Sequence, residues 1–120
     1  MTGDQTRAQD YLPLTPPAFH VLLSLADGEK HGYAILKEVE DRTGGKVTLS
    51  SGTLYAIIKR LLTDGLIEEI DDRTKHGDER RRYYRLSAFG REVALAETER
   101  MEEMLMNGKA RRLLRKPRHA

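Results

Sequence analysis

A mainly α-helical fold carrying one small β-hairpin is what this sequence of 120 residues predicts. Apolar residues recur at helical spacing in four separate stretches, and only two short runs read as strands. Capping residues and glycines stand at the boundaries between them. The length suits one domain rather than two. Apolar residues make up 38% and charged residues 33%, the balance of a small protein with much of its surface in water. There is no cysteine, which excludes a disulfide framework and thiolate metal sites. No run of about 18 apolar residues occurs, so no membrane partner is expected. The opening MTGDQTRAQD lacks the basic-then-apolar layout of a secretory signal, and a cytoplasmic location is expected.

Residues 1–10 are polar and irregular and read as a flexible N-terminus. The first helix starts at Thr15, an N-cap, with Pro16 and Pro17 in the first turn where their missing N–H groups cost little. Phe19, Val21, Leu22, Leu23, Leu25 and Ala26 make it apolar nearly all round, so it should be covered on two sides. Asp27-Gly28 ends it. The second helix begins near His31 and stops at Gly44-Gly45, with Tyr33, Ile35, Leu36 and Val39 as a narrower apolar stripe. Val47-Thr48-Leu49 reads as a short extended piece.

The third helix is capped by Ser50 or Ser51 and stopped by Asp64-Gly65. Leu54, Ile57, Ile58, Leu61 and Leu62 follow the i, i+3, i+4, i+7, i+8 rule and form its core side. Gly52, Ala56, Lys59 and Thr63 lie opposite, with Tyr55 and Arg60 at the borders. Leu66 to Ile70 then reads as a strand and residues 82–86 as a second, with a polar loop between them that turns at Gly77. Ser87 caps a fourth helix over 87–107, whose apolar positions are Phe89, Val93, Ala96, Met101, Met104 and Leu105. At 1.5 Å per residue it is about 30 Å long, more than so small a body covers alone, and its apolar face calls for a partner. Residues 108–120 form a basic tail that could extend as a helix onto DNA or stay disordered, and disorder is the expectation.

Charge is unevenly placed. The formal net charge is +2, but the tail from residue 109 holds six cations and no acid, so the remainder carries −4. The sequence pI near 9.0 is therefore a property of the tail. Between Arg73 and Arg85 six cations (Arg73, Lys75, Arg80, Arg81, Arg82 and Arg85) face two acids, Asp78 and Glu79, a local surplus of +4. A basic tip on an acidic body is a footprint for phosphate.

Three helices, a strand, a charged loop and a strand occur in the order of a winged helix-turn-helix, with the last helix appended. In that arrangement the third helix enters the major groove of double-stranded DNA and the hairpin loop touches a neighbouring stretch. The residue types suit the task. Gly52 and Ala56 allow close approach; Ser50, Ser51 and Thr53 present hydroxyls at a helix start; Tyr55, Lys59 and Arg60 complete the face. Taken alone, the helix fits an ordinary solvated face equally well, and the basic loop shifts the balance towards DNA. The DNA-contacting set is then Ser50, Ser51, Thr53, Tyr55, Lys59 and Arg60, with Arg73, Lys75, Arg80, Arg81 and Arg82 on phosphates.

HGYAILKEVE, SSGTLYAIIKRLLTDGLIEE and RRRYYRLSAFGRE together resemble the PadR family of transcriptional regulators, over roughly residues 12–105. The shared pieces are Gly32-Tyr33, Gly52-Thr53-Leu54-Tyr55, Lys59-Arg60-Leu61, Gly65-Leu66-Ile67, and Tyr84 with Gly90. Ala56 departs from the proline of many members, and Ser87-Ala88 from their usual lead into the final helix. The resemblance implies a short-form, homodimeric DNA-binding repressor on a pseudo-palindromic operator. It implies dimerisation of the final helix with the first helix of the other subunit. The expected seam is Phe19, Leu22, Leu23, Phe89, Val93, Ala96, Met101, Met104 and Leu105. It also admits a small hydrophobic effector at that seam, although the final helix offers Phe89 as its sole aromatic. A winged-helix protein-interaction module and a small-ligand sensor are the rival readings.

No cofactor, metal or enzymatic activity is expected. The four histidines, His20, His31, His76 and His119, show no metal-ligand spacing, and neither a nucleophile–base pair nor a glycine-rich phosphate loop occurs.

Overall fold

A computed structural model describes residues 7–71, 82–106 and 110–115. After a 3-10 turn at Ala8–Tyr11 come α1 (Pro16–Ser24), β1 (Lys30–His31), α2 (Gly32–Arg42) and α3 (Ser51–Thr63). These are followed by β2 (Ile67–Asp71), β3 (Arg82–Leu86), α4 (Ala88–Met106) and α5 (Ala110–Leu114).

Helix starts follow the capping chemistry of the sequence. Thr15 Oγ1 accepts from the Ala18 N–H (3.3 Å), His31 Nδ1 from Ala34 (3.3 Å), Ser50 Oγ from Thr53 (3.1 Å) and Ser87 Oγ from Gly90 (2.9 Å). Each satisfies one of the free amides of a first helical turn. The stop after α3 is a Schellman turn: Leu66 N–H donates to Leu61 O (2.9 Å) and Gly65 N–H to Leu62 O (3.1 Å). It requires φ +76° at residue 65, where glycine carries no Cβ penalty.

One core joins all the main elements: Val21, Leu22 and Leu25, Ile35 and Val39, Leu54, Ile58 and Leu61, Ile67, Tyr84 and Val93. The sheet is antiparallel in the order β1-β3-β2. The expected hairpin is thus a three-stranded sheet. Lys30 and Glu69 flank Tyr84 in register on either side, which puts that buried tyrosine at the sheet's middle.

Two local expectations are corrected. The stretch Ala8–Tyr11, mostly read as flexible, forms a 3-10 turn, and Tyr11 meets Phe89 of α4 edge-on at 5.6 Å between ring centroids. Apolar packing draws this segment in, because Tyr11, Leu12 and Leu14 lie against the core. Val47-Thr48-Leu49 leads into α3 outside any helix or strand, and Leu49 tucks into the core there. Within the tail, residues 110–114 are helical rather than disordered, with Leu113 and Leu114 exposed.

At the junction of sheet and α4, backbone lies close against backbone. Ser87 N–H donates to Leu66 O (3.1 Å) and Ser87 Oγ to Gly65 O (2.7 Å). A Cβ placed on Gly90 would stand 1.8 Å from Leu66 O. Glycine at 90 is what lets the start of α4 rest on the backbone between α3 and β2.

Candidate nucleic-acid interface

α3 is held by Leu54, Ile58 and Leu61, each at most 3% exposed. Its other side is open, and Ser51, Gly52, Thr53, Tyr55, Ala56, Lys59 and Arg60 are all exposed, as is the cap Ser50. The structure therefore brings the six helix residues expected to contact DNA onto one accessible surface. Lys59 makes no ion pair among the described residues. Arg60 is partly engaged, its Nε donating to Asp64 Oδ2 at 3.2 Å, while the side chain stays 79% exposed.

Tyr55 also makes a contact that the sequence did not reveal. A Cβ on Gly32 would lie 2.3 Å from its hydroxyl oxygen and 2.9 Å from Cζ. The ring thus leans across the first turn of α2, and the Gly32 and Tyr55 motifs are two halves of one contact. The signal was a glycine at the first position of a helix, where it brings no propensity gain.

Of the hairpin cations, Arg73, Lys75, Arg80 and Arg81 lie outside the described residues. Arg82 is exposed, with Nε 3.7 Å from Glu69 Oε2. Arg85, counted in the loop surplus, donates from Nε to Glu68 Oε1 across the strands at 2.8 Å. The foot of the hairpin is therefore charge-balanced by β2, and the basic surplus belongs to residues beyond it.

The expected dimer residues divide. Leu22 and Val93 are 0% exposed and belong to the chain's own core, so they are corrected as contact residues. Phe19, Leu23, Phe89, Ala96 and Met101 are half-buried, and Met104 and Leu105 are 51% and 75% exposed. Sequence reasoning also missed Glu97, which is only 2% exposed. Its carboxylate accepts from the Leu14 N–H (3.1 Å) and from Arg100 Nε (2.6 Å) and Nη2 (3.0 Å), fastening the N-terminal segment to α4. The Arg100 guanidinium and the Leu14 amide hold its pKa below the usual glutamate value against the opposing effect of burial. The signal was its place on the Gly90–Val93–Glu97 stripe.

Among the described residues no group of three histidines, cysteines, aspartates or glutamates could hold a metal ion, and no helix is long and apolar enough to cross a membrane.

From residue 21 to residue 96 the chain matches the model of the transcriptional regulator PadR-like family. It is 34% identical over 85 residues to transcriptional regulator Rv3488 of Mycobacterium tuberculosis, covering 71% of this chain and 75% of that protein. It is 30% identical over 71 residues to an uncharacterized protein of Lysinibacillus sphaericus, covering 59% of this chain and 64% of that one, just under two thirds of its length. A PadR family transcription regulator from Clostridium difficile superposes with TM-score 0.64 at 26% identity, covering 78% of this chain and 97% of that one. Bacillus subtilis PadR in complex with operator DNA superposes with TM-score 0.59 at 20% identity, covering 66% of this chain and 45% of that one, a likeness of fold. The chain belongs to the PadR-like family of transcriptional regulators.

Proposed function

We propose that the protein acts as a homodimeric repressor that places α3 in the major groove of a pseudo-palindromic operator. The observation that carries this reading is the two-sidedness of α3, anchored in the core by one face and presenting Gly52, Ala56, Lys59 and capped hydroxyls on the other. The B. subtilis relative, solved with operator DNA, supports it. Two copies would set half-sites about one helical turn apart, or a multiple of it. The residues proposed to contact DNA are Ser50, Ser51, Thr53, Tyr55, Lys59 and Arg60, with Arg73, Lys75, Arg80, Arg81 and Arg82 on phosphates.

The test is titration of the protein against operator duplex at several salt concentrations. Affinity will fall steeply as salt rises, and Lys59→Ala will weaken binding roughly three- to tenfold and lower the salt slope by about 1. An affinity that stays flat with salt would favour a protein-interaction module instead. Unaltered binding by Lys59→Ala would remove that contact.

Dimerisation through α4 is supported by a buried stripe that continues, as apolar side chains, past the end of the body. Gly90, Val93 and Glu97 are buried, whereas Met104 continues the same stripe half in solvent with Leu105 beside it. Methionine suits an adaptable seam. Met104→Asp with Leu105→Asp will convert a dimer to a monomer in sedimentation velocity at unchanged helix content. A wild-type protein that sediments as a monomer at tens of micromolar overturns the dimer. A small hydrophobic effector at this seam is part of the same proposal, and a thermal shift by planar aromatic compounds would reveal one.

A further inference from the structure

Between the first turn of α1 and the flank of α3 runs a groove of about 320 Å³. Ala18, Ala56, Ile57 and Leu61 supply its apolar lining, and Thr15, Thr53 and Arg60 complete it. Each of these three polar residues is already engaged. Thr15 Oγ1 caps α1 by accepting from Ala18 N–H at 3.3 Å, Thr53 Oγ1 accepts from Ser50 Oγ at 3.0 Å, and Arg60 Nε donates to Asp64 at 3.2 Å. What the groove offers a visitor is mostly carbon. Yet Thr53, Ala56 and Arg60 of its lining also belong to the exposed face of α3, where a polyanion would dock.

Among the base edges of the major groove, the apolar group on offer is the C5-methyl of thymine. Building on the DNA-binding reading above, we propose that this groove reads thymine, with Ala56 as the specificity-determining residue. Ala56 lies at the centre of the exposed face, and the methyl rests against its side chain with Ile57 and Leu61 behind. The space next to it is open: a Cβ on Gly52, one turn earlier, would meet nothing within 4 Å beyond its chain neighbours and the helix's own backbone. Each operator half-site then carries a thymine opposite residue 56, selected by shape and carbon contact rather than by a hydrogen bond.

The test uses the full chain and a duplex recovered from genomic fragments that it binds. Each thymine is replaced in turn by deoxyuridine, which removes one methyl and keeps every hydrogen-bonding group, and Kd is read by fluorescence anisotropy. One thymine per half-site will show a loss of about fourfold, the worth of one buried methyl-sized group. In Ala56→Gly, and in Ala56→Ser, which disturbs the helix less, that thymine-to-uracil ratio will fall towards one. Overturning results are a duplex with no thymine whose replacement costs more than about twofold, or a ratio undiminished in both variants. Either leaves DNA binding standing. Failure to bind any duplex removes the DNA-binding reading itself, and the thymine assignment with it.

Discussion

Gly90→Ala will lower the melting temperature by roughly 10 °C or more, a loss of at least about 3 kcal/mol. The added Cβ would stand 1.8 Å from Leu66 O and 2.7 Å from Leu66 C. These are backbone atoms fixed from several directions, since the Schellman turn holds Leu66 N–H and Ser87 N–H holds its carbonyl. Neither can give way without moving the end of α3, the start of β2 or the whole of α4. Gly52→Ala is the control. A Cβ there meets nothing within 4 Å, and alanine inside a helix gains about 0.5–1 kcal/mol over glycine. Paired denaturation curves check both, and a Gly90→Ala protein as stable as the wild type would contradict the junction described above.

Glu97→Ala will cost about 2–3 kcal/mol, because it strands Arg100 and leaves the Leu14 amide without its acceptor. Arg100 is 34% exposed and can regain water, which keeps the cost at the lower end for a broken buried pair. Glu97→Gln keeps the shape and loses only the charge, so it will cost less. The pH dependence has a definite sign. The folded carboxyl titrates below the unfolded one, so its stabilisation is complete above the ordinary glutamate range and is lost as pH falls through the folded value. The stability gap between wild type and Glu97→Gln will therefore narrow on acidification, as read from urea midpoints across a pH series. A gap constant down to the acid limit would show that Glu97 is not a stabilising carboxylate.

Much of the fold was legible because its determinants are local. Thr15, Ser87, and the pair at Ser50 and Ser51 are caps readable from spacing, and Gly65 is a stop readable from residue type. The core side of α3 follows from helical periodicity alone. What stayed hidden depends on residues distant in the chain. β1 is two residues long, too short for any period, and exists only because β3 pairs with it. Tyr55 over Gly32 joins different helices. Periodicity marks Leu22 and Val93 as facing something apolar, but it does not distinguish the chain's own core from a second copy. The +4 of residues 73–85 overstates the free basic charge of the hairpin, because Arg82 and Arg85 pair with Glu69 and Glu68, acids that strand pairing brings alongside.

The tight seat of α4 on the backbone at Leu66 has a geometric consequence. From Gly90 to the end of the helix at Met106 is a lever about 24 Å long. Pivoted at Gly90, a tilt of only about 8° would swing its far end by roughly 3.4 Å, the rise of one base pair. In a dimer built through that far end, angular play at the joint becomes error in where the second reading head lands on the DNA. In the proposed dimer, the missing methyl at residue 90 and the double grip of Ser87 would act as an alignment fixture, setting the distance between two half-sites from a point that touches neither.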